Sequence, residues 1–298
     1  MRKLTARFLP FFLILFLLDA SLYAHNAAAQ NQKTFMWKVQ SKTSTVYVLG
    51  SVHFMKKEVY PLNNKIEDAF EKSNILAVEA NINDAAKLDL QKLLTSAFYP
   101  GNETLEKHVS KETYELVKKE TGSMGMPIEL INKQKPWFLA MTLESIELMK
   151  LGFNPQYGID NHFLKKAAGK KKIMELESLD YQINLLSGFS DEEQELFLLH
   201  TLKDLKILKQ EIDKLLQAWL TGDAKGIESI ASRVNGDRRI AQIYEKLYYE
   251  RNSAMTSKIE EFLKTNESYF VVVGAGHLVG NKGIIEMLKR KGYPVEQI

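Results

Sequence analysis

The sequence has 298 residues, 45% of them hydrophobic and 26% charged, with 40 basic against 37 acidic side chains and no cysteine. That length and apolar share support one large domain or two small ones. Without cysteine, disulfide stapling, thiol catalysis and a lipoprotein anchor are excluded. The formal charge of +3 falls to +1 once Arg2, Lys3, Arg7 and Asp19 are left out with the first 29 residues. Such a balance gives no electrostatic case for nucleic acid or an anionic membrane as partner.

Residues 1–29 have the pattern of a signal peptide. Arg2, Lys3 and Arg7 form a positive start, residues 8–18 are apolar apart from Pro10, and Ala27-Ala28-Ala29 offers small residues for cleavage before Gln30. A cut after Ala24 is the alternative. The apolar run is shorter than the roughly 20 residues a membrane-spanning helix needs. The expectation is an exported chain, periplasmic or secreted, with residues 30–298 as a single domain and no stable membrane anchor after cleavage.

Residues 34–40 and 45–50 read as two strands joined by a Lys-Thr-Ser turn, since Val46, Tyr47 and Val48 suit a pleated surface. Residues 65–73 have helical spacing, with Ile66, Ala69 and Phe70 on one face. The apolar run 75–78 ends at Glu79 and reads as a buried strand. Helical patterns then extend to about Leu151, with Pro127 and Pro136 placed where helices begin. Asp160, following Gly158, is expected to cap a helix running to Ala168. Lys170-Lys171-Lys172 reads as a solvated turn ahead of a short strand at 172–176. Residues 191–220 read as one long helical stretch with a stripe of Leu196, Leu199, Leu202, Leu205 and Leu208, and helices follow at 222–233, 237–249 and 253–263. Residues 269–273 form the strongest strand of the chain, and a last helix and a short strand at 295–297 close it. The predicted class is α/β, with one sheet assembled from N- and C-terminal segments and a mainly helical insertion over about 85–265.

One internal echo stands out. Val48-Leu49-Gly50-Ser51-Val52-His53 and Val272-Val273-Gly274-Ala275-Gly276-His277 share the frame apolar-apolar-Gly-x-x-His, each just after a strand. Ligands of open α/β sheets gather at the carboxyl ends of strands, and His53, Glu79, Glu177 and His277 all follow apolar runs. Two His and one Glu can bind a divalent metal with a position left for water, and a second carboxylate can serve as general base. Plain structural roles fit the same residues, with Glu79 or Glu177 as a helix-start acid and either His as a satisfied core group. His25 lies in the leader, His108 and His200 lie on helical stretches, and His162 is an outside candidate. Gly274-Ala275-Gly276 resembles the opening of a dinucleotide fingerprint, but too few residues follow for a complete βαβ unit. The sequence has no H-E-x-x-H, G-x-S-x-G or P-loop motif.

In chain order, Leu49-Gly50-Ser51-Val52-His53, Val78-Glu79, Tyr157-Gly158-Ile159-Asp160, Leu176-Glu177-Ser178 with Gln182, Arg251-Asn252 and Gly274-Ala275-Gly276-His277 resemble the landmarks of the TraB/GumN family. That family is similar to the TIKI metalloproteases and to the erythromycin-esterase-like and ChaN-like folds, and the likeness runs from about Phe35 to the C-terminus. It implies a mixed sheet in two pseudo-symmetric halves, each contributing a Gly-x-x-His turn. By position it makes His53 and His277 the metal-site histidines and Glu79 and Glu177 their acidic partners, either Glu serving as ligand and the other as general base; Glu79 is set with the metal residues, and Glu177, Arg251 and Asn252 with the catalytic ones. It also implies a divalent metal (Mn, Co or Zn) and a peptide or protein substrate. Under the likeness Arg251 is expected to hold a substrate carboxylate or oxyanion, and Asp160 to be structural. The functional expectation is an exported metal-dependent peptidase. The alternatives are a non-catalytic peptide- or small-ligand-binding protein and a haem- or iron-handling protein on the related fold.

Overall fold

The computed structural model describes residues 33–84, 89–232 and 238–298. The signal-peptide pattern of residues 1–29 lies outside the described residues. Met36–Gln40 (β1) and Thr45–Ser51 (β2) form the predicted hairpin, with Val39 opposite Val46. Ile75–Val78 (β3), Lys172–Glu175 (β4), Ser268–Gly274 (β5) and Val295–Gln297 (β6) complete a sheet of order β4-β3-β5-β2-β1-β6. The pairs β4–β3, β3–β5 and β5–β2 are parallel, whereas β1 pairs antiparallel with β2 and with β6. The sheet is therefore mixed and joins both ends of the chain, as expected.

Parallel strands are covered on both faces, so they read as continuous apolar runs. Ile75–Val78 and residues 269–273 are accordingly buried throughout. Because β2, β3, β4 and β5 run the same way, their carboxyl ends share one edge. The residues that follow them are therefore delivered to one place by topology alone.

Asn64–Glu71 (α1) opens at Asn63, whose side chain accepts from Lys65 N–H, and buries Ile66, Ala69 and Phe70. Leu90–Ala97 (α2), Lys111–Ser123 (α3) and Pro136–Lys150 (α4) follow. Pro136 stands in the first turn of α4, where its missing N–H costs nothing. Ile159–Ala167 (α5) packs Phe163 against Phe70 and Phe270. Then come Leu179–Ser187 (α6), Asp191–Asp204 (α7), Leu208–Thr221 (α8), Ala224–Ala231 (α9) and Arg238–Tyr244 (α10). A π-helical turn, Glu245–Tyr249, joins α10 to Glu250–Leu263 (α11). Ala275–Leu278 (α12) and Ile284–Arg290 (α13) lead into β6. A second core, separate from that of the sheet, is built by α3, α4 and α7 around Val117, Leu139, Leu143, Leu198 and Leu202. No helix among the described residues is long and apolar enough to cross a membrane.

Three expectations are corrected. The stretch expected as one helix over 191–220 is broken at residues 205–207. Leucines every third residue drift by about 60° per step around a helix, so the five cannot share one face; Leu198 and Leu202, four apart, are the buried pair. Asp160 does not cap α5, whose N-cap is Gly158. Lys170-Lys171-Lys172 is not simply solvated: Lys171 Nζ donates to Glu71 O and Ser73 O and lies over the Phe70 ring.

Candidate active site

The two Gly-x-x-His turns leave neighbouring parallel strands, Ser51 of β2 standing beside Gly274 of β5. Gly50 is required because any side chain there would strike Phe35. A Cβ added at Gly274 would stand 3.2 Å from Glu79 Oε1, 3.3 Å from His277 Cδ2 and 3.9 Å from His53 Nε2. Three of the sequence-predicted residues thus crowd around one bare glycine. His277 Nε2 is 3.8 Å from Glu79 Oε1, and Gly274 N–H donates to that same oxygen at 2.5 Å.

Each imidazole is fixed from behind. His53 Nδ1 donates to Asp160 Oδ2 at 2.7 Å, and Ser51 Oγ donates to the same carboxylate oxygen. His277 Nδ1 donates to Asn252 Oδ1 at 2.6 Å, while Asn252 Nδ2 donates to Lys282 O at 2.8 Å. The carbonyl partner settles the Asn252 orientation and hence the His277 tautomer, with its proton on Nδ1 and a lone pair on Nε2. Behind His53, Gly158 is needed because a Cβ there would collide with the His53 carbonyl.

The two histidines have opposite electrostatics. His53, with 63% of its side chain exposed, is raised to about 9, chiefly by the Asp160 charge. His277 is buried, and desolvation with Arg251 lowers it to about 4, so it is neutral at pH 7. Burial opposes the Asp160 charge, but His53 and Ser51 outweigh it and hold that carboxyl below its ordinary value. Burial likewise opposes the Glu79 charge, and His277, His53, Arg251 and the Gly274 N–H overcome it and lower its pKa.

Arg251 and Glu177 form the floor. Arg251 Nη2 donates to Glu79 Oε2 at 2.8 Å and to Glu177 Oε2 at 2.6 Å, Nε donates to Glu177 Oε1 at 2.9 Å, and Nη1 donates to Leu247 O. Gln182 Nε2 bridges the two carboxylates, 3.1 Å from each. In this structure Arg251 therefore grips the protein's own carboxylates, where a substrate anion was expected. Asn252 orients His277 and does not line open space.

The structure thus brings His53, Glu79, Glu177, Arg251, Asn252 and His277 together. His162 goes elsewhere, its Nε2 lying 3.2 Å from Glu67 Oε1. His108 pairs with Glu103 and His200 with Asp204. Sequence reasoning passed over Asp160 as the partner of His53, although its place in the ordered Tyr157-Gly158-Ile159-Asp160 landmark was a signal. It also missed Tyr248. That ring is 5.1 Å from the His277 ring, and a Cβ on Gly276 would stand 2.9 Å from it. Tyr248 is delivered by the π-helical turn, a distortion frequent at functional sites.

A divalent metal is what the family likeness implies, and the donor set can be tested for it. Two Nε2 atoms and Glu79 Oε1 suit a borderline cation, and a held Nδ1 on each His is the usual outer support of a metal-ligating imidazole. Among the described residues, however, no three His, Asp or Glu side chains stand at the mutual spacing that holds a metal ion. The donor chemistry, two imidazoles and a carboxylate, is of the kind that fits a divalent cation.

Several proteins resemble the chain. The uncharacterised protein YbaP of Escherichia coli (strain K12) is 26% identical over 247 residues, which cover 82% of this chain and 87% of that protein. The metalloprotease TIKI1 of Xenopus tropicalis is 23% identical, covering 97% of this chain and 67% of its own length. A metalloprotease TIKI homologue of Amphimedon queenslandica is also 23% identical, over 93% of this chain and 64% of its own. No solved structure matches. A sequence model of one family matches residues 35–297, from the start of the hairpin to the end of the last strand, and the chain belongs to that TraB/PrgY/gumN family.

Proposed function

We propose that the chain is an exported, metal-dependent hydrolase that cleaves peptide bonds at the His53–Glu79–His277 cluster. The observation that carries this reading is the convergence of His53 Nε2, the His277 ring and Glu79 Oε1 around Gly274, with both Nδ1 atoms already engaged. The likeness to metalloproteases named TIKI supports the reaction class.

His53, Glu79 and His277 would hold the metal, which when bound polarises a carbonyl and raises the acidity of water. The remaining chemistry belongs to the chain. Glu79 Oε1 is the carboxylate oxygen that faces the histidines, oriented by the Gly274 N–H, and would be the oxygen offered to the metal. Glu177 has both oxygens on Arg251 and Gln182, so its role is to hold Arg251 in place. Against burial, His277, His53 and Arg251 together hold the Glu79 carboxyl below its ordinary value. His277 presents its Nε2 lone pair because its one proton sits on Nδ1, donated to Asn252 Oδ1. His53 is the solvent-open member and marks the side from which substrate arrives.

The test is cleavage of a peptide library by protein purified without chelators, with and without added Mn²⁺, together with metal analysis of the same preparation. Cleavage that is lost in both His53→Ala and His277→Ala, with metal content falling in parallel, is the expected result. A chain that binds no metal and whose variants behave as the parent would remove the reading. One observation favours a second reading, a non-catalytic peptide- or ligand-binding protein: Arg251 already neutralises both acidic residues. Stoichiometric peptide binding without turnover would support it.

A further inference from the structure

The carboxyl end of α5 carries a feature the hydrolase reading does not use. A cavity of about 380 Å³ lies between Tyr60 and α5, and four of its lining side chains are His162, Lys165, Lys166 and Lys170. That volume falls within the range of small-molecule sites. Ala167 ends α5, and Gly169, with φ of 69°, turns the chain so that Lys170 comes back beside Lys165 and Lys166. A side chain would be strained in that left-handed conformation.

The walls are fixed without help from a ligand. Tyr60 Oη donates to Tyr157 O at 2.6 Å, and the Tyr60 ring stands 4.8 Å from the His162 ring. Behind the lining, Glu67 meets His162 through Oε1 and Lys166 through Oε2, and Lys166 also reaches Glu71 Oε1 at 3.1 Å. Lys166 and His162 are therefore partnered. Lys165 and Lys170 have no ion pair or side-chain hydrogen bond among the described residues. Two unneutralised ammonium groups thus face one concavity with rigid aromatic walls. The helix dipole accounts for cations near the end of a helix; it does not account for the cavity or its preformed walls.

We propose that this cavity is a binding site for a small organic anion, a carboxylate or a phosphate ester, with Lys165 and Lys170 as the ion-pairing groups. The basic surface is a single concavity, not the extended stripe that a nucleic acid requires. Glu67 tunes it: by holding Lys166 and His162 inward it leaves the outer lysines to the ligand, and its own charge weakens the site. The proposal is independent of the hydrolase reading, because its readout is binding.

The experiment is calorimetric titration of the full chain with phenyl phosphate, inorganic phosphate and citrate, each against sodium chloride at matched ionic strength. A parallel arm tests sedimentation with phosphatidylcholine vesicles with and without phosphatidylglycerol. Saturable binding of at least one organic anion is expected, with Lys165→Gln and Lys170→Gln each weakening it by about tenfold or more, as loss of a charge-assisted contact implies. Glu67→Gln is expected to tighten it. Both lysines are exposed, so the variants keep the parent's melting temperature, which serves as the folding control. Binding that chloride abolishes as efficiently as the organic anions, or that neither lysine variant alters, overturns the proposal. Binding to the phosphatidylglycerol vesicles with none to the free anions moves the site to a lipid headgroup and overturns the small-molecule assignment.

Discussion

Replacing Arg251 by Met tests whether the floor of the site is a structural ion network. Three hydrogen bonds of 2.6–2.9 Å tie its guanidinium to Glu79 and Glu177, and the three side chains are only 10%, 8% and 5% exposed. Met fills a similar length but leaves two buried carboxylates facing each other without a cation. Removing one partner of a buried pair costs about 3–5 kcal/mol, because the charge left behind keeps its desolvation penalty. A domain of this size loses roughly 2 °C of melting temperature per kcal/mol, so the expected fall is roughly 6–10 °C at neutral pH. Differential scanning calorimetry reads it directly. Arg251→Lys should recover only part of the loss, since an ammonium cannot make the paired contacts of the guanidinium. Adding Glu177→Gln to Arg251→Met should restore some stability by removing one stranded charge. If Arg251→Met melts within about 2 °C of the parent, the carboxylates are hydrated or protonated at little cost, and the account of the floor is wrong.

Other perturbations address neighbouring parts. Gly158→Ala should push the His53 carbonyl away and break the His53–Asp160 bond, lowering stability by about 1–3 kcal/mol and shifting the His53 imidazole resonances; unchanged resonances would count against the close packing of that turn. Trp219 Nε1–H donates to Gly50 O at 2.7 Å in a buried setting, so Trp219→Phe should cost about 1–3 kcal/mol by depriving that carbonyl of its donor, as read from urea unfolding. Glu67 has its pKa lowered, first by the His162 hydrogen bond and then by Lys166, against the effect of burial. A carboxyl depressed in the folded state stabilises above the unfolded value of about 4.3 and loses that contribution as pH falls through the folded value. Glu67→Gln should therefore be less stable than the parent at pH 7 and converge with it in acid. Parallel stability curves from pH 7 down to pH 3 would refute this.

Much of the scaffold was legible because its signals are local. The runs at 75–78 and 269–273 are continuous and apolar, as strands buried on both faces must be, and the Ile66, Ala69 and Phe70 face of α1 follows from helical period alone. Placing His53, Glu79, Glu177 and His277 after strands was enough to name them. Nothing local says that β3 lies beside β5 and β5 beside β2, and that parallel order is what carries the four to one edge. Strand ends predict neighbours only once the sheet order is known.

Tertiary structure alone decided the partners. Asp160 read as a helix cap, since a carboxylate after a glycine suits that role, yet its oxygen accepts the hydrogen bond from His53 Nδ1. Arg251 looked free for substrate, but its guanidinium is spent on Glu79 and Glu177 across the sheet edge. Lys170 looked like part of a solvated run, but it lines an open concavity beside Tyr60 and α5. The sequence by itself determined the residue types, the strands and the two Gly-x-x-His turns, because period and composition act over a few residues. Which charge meets which is set by contacts between segments 74 to 172 residues apart, and a hydrogen bond of under 3 Å leaves no trace in local pattern.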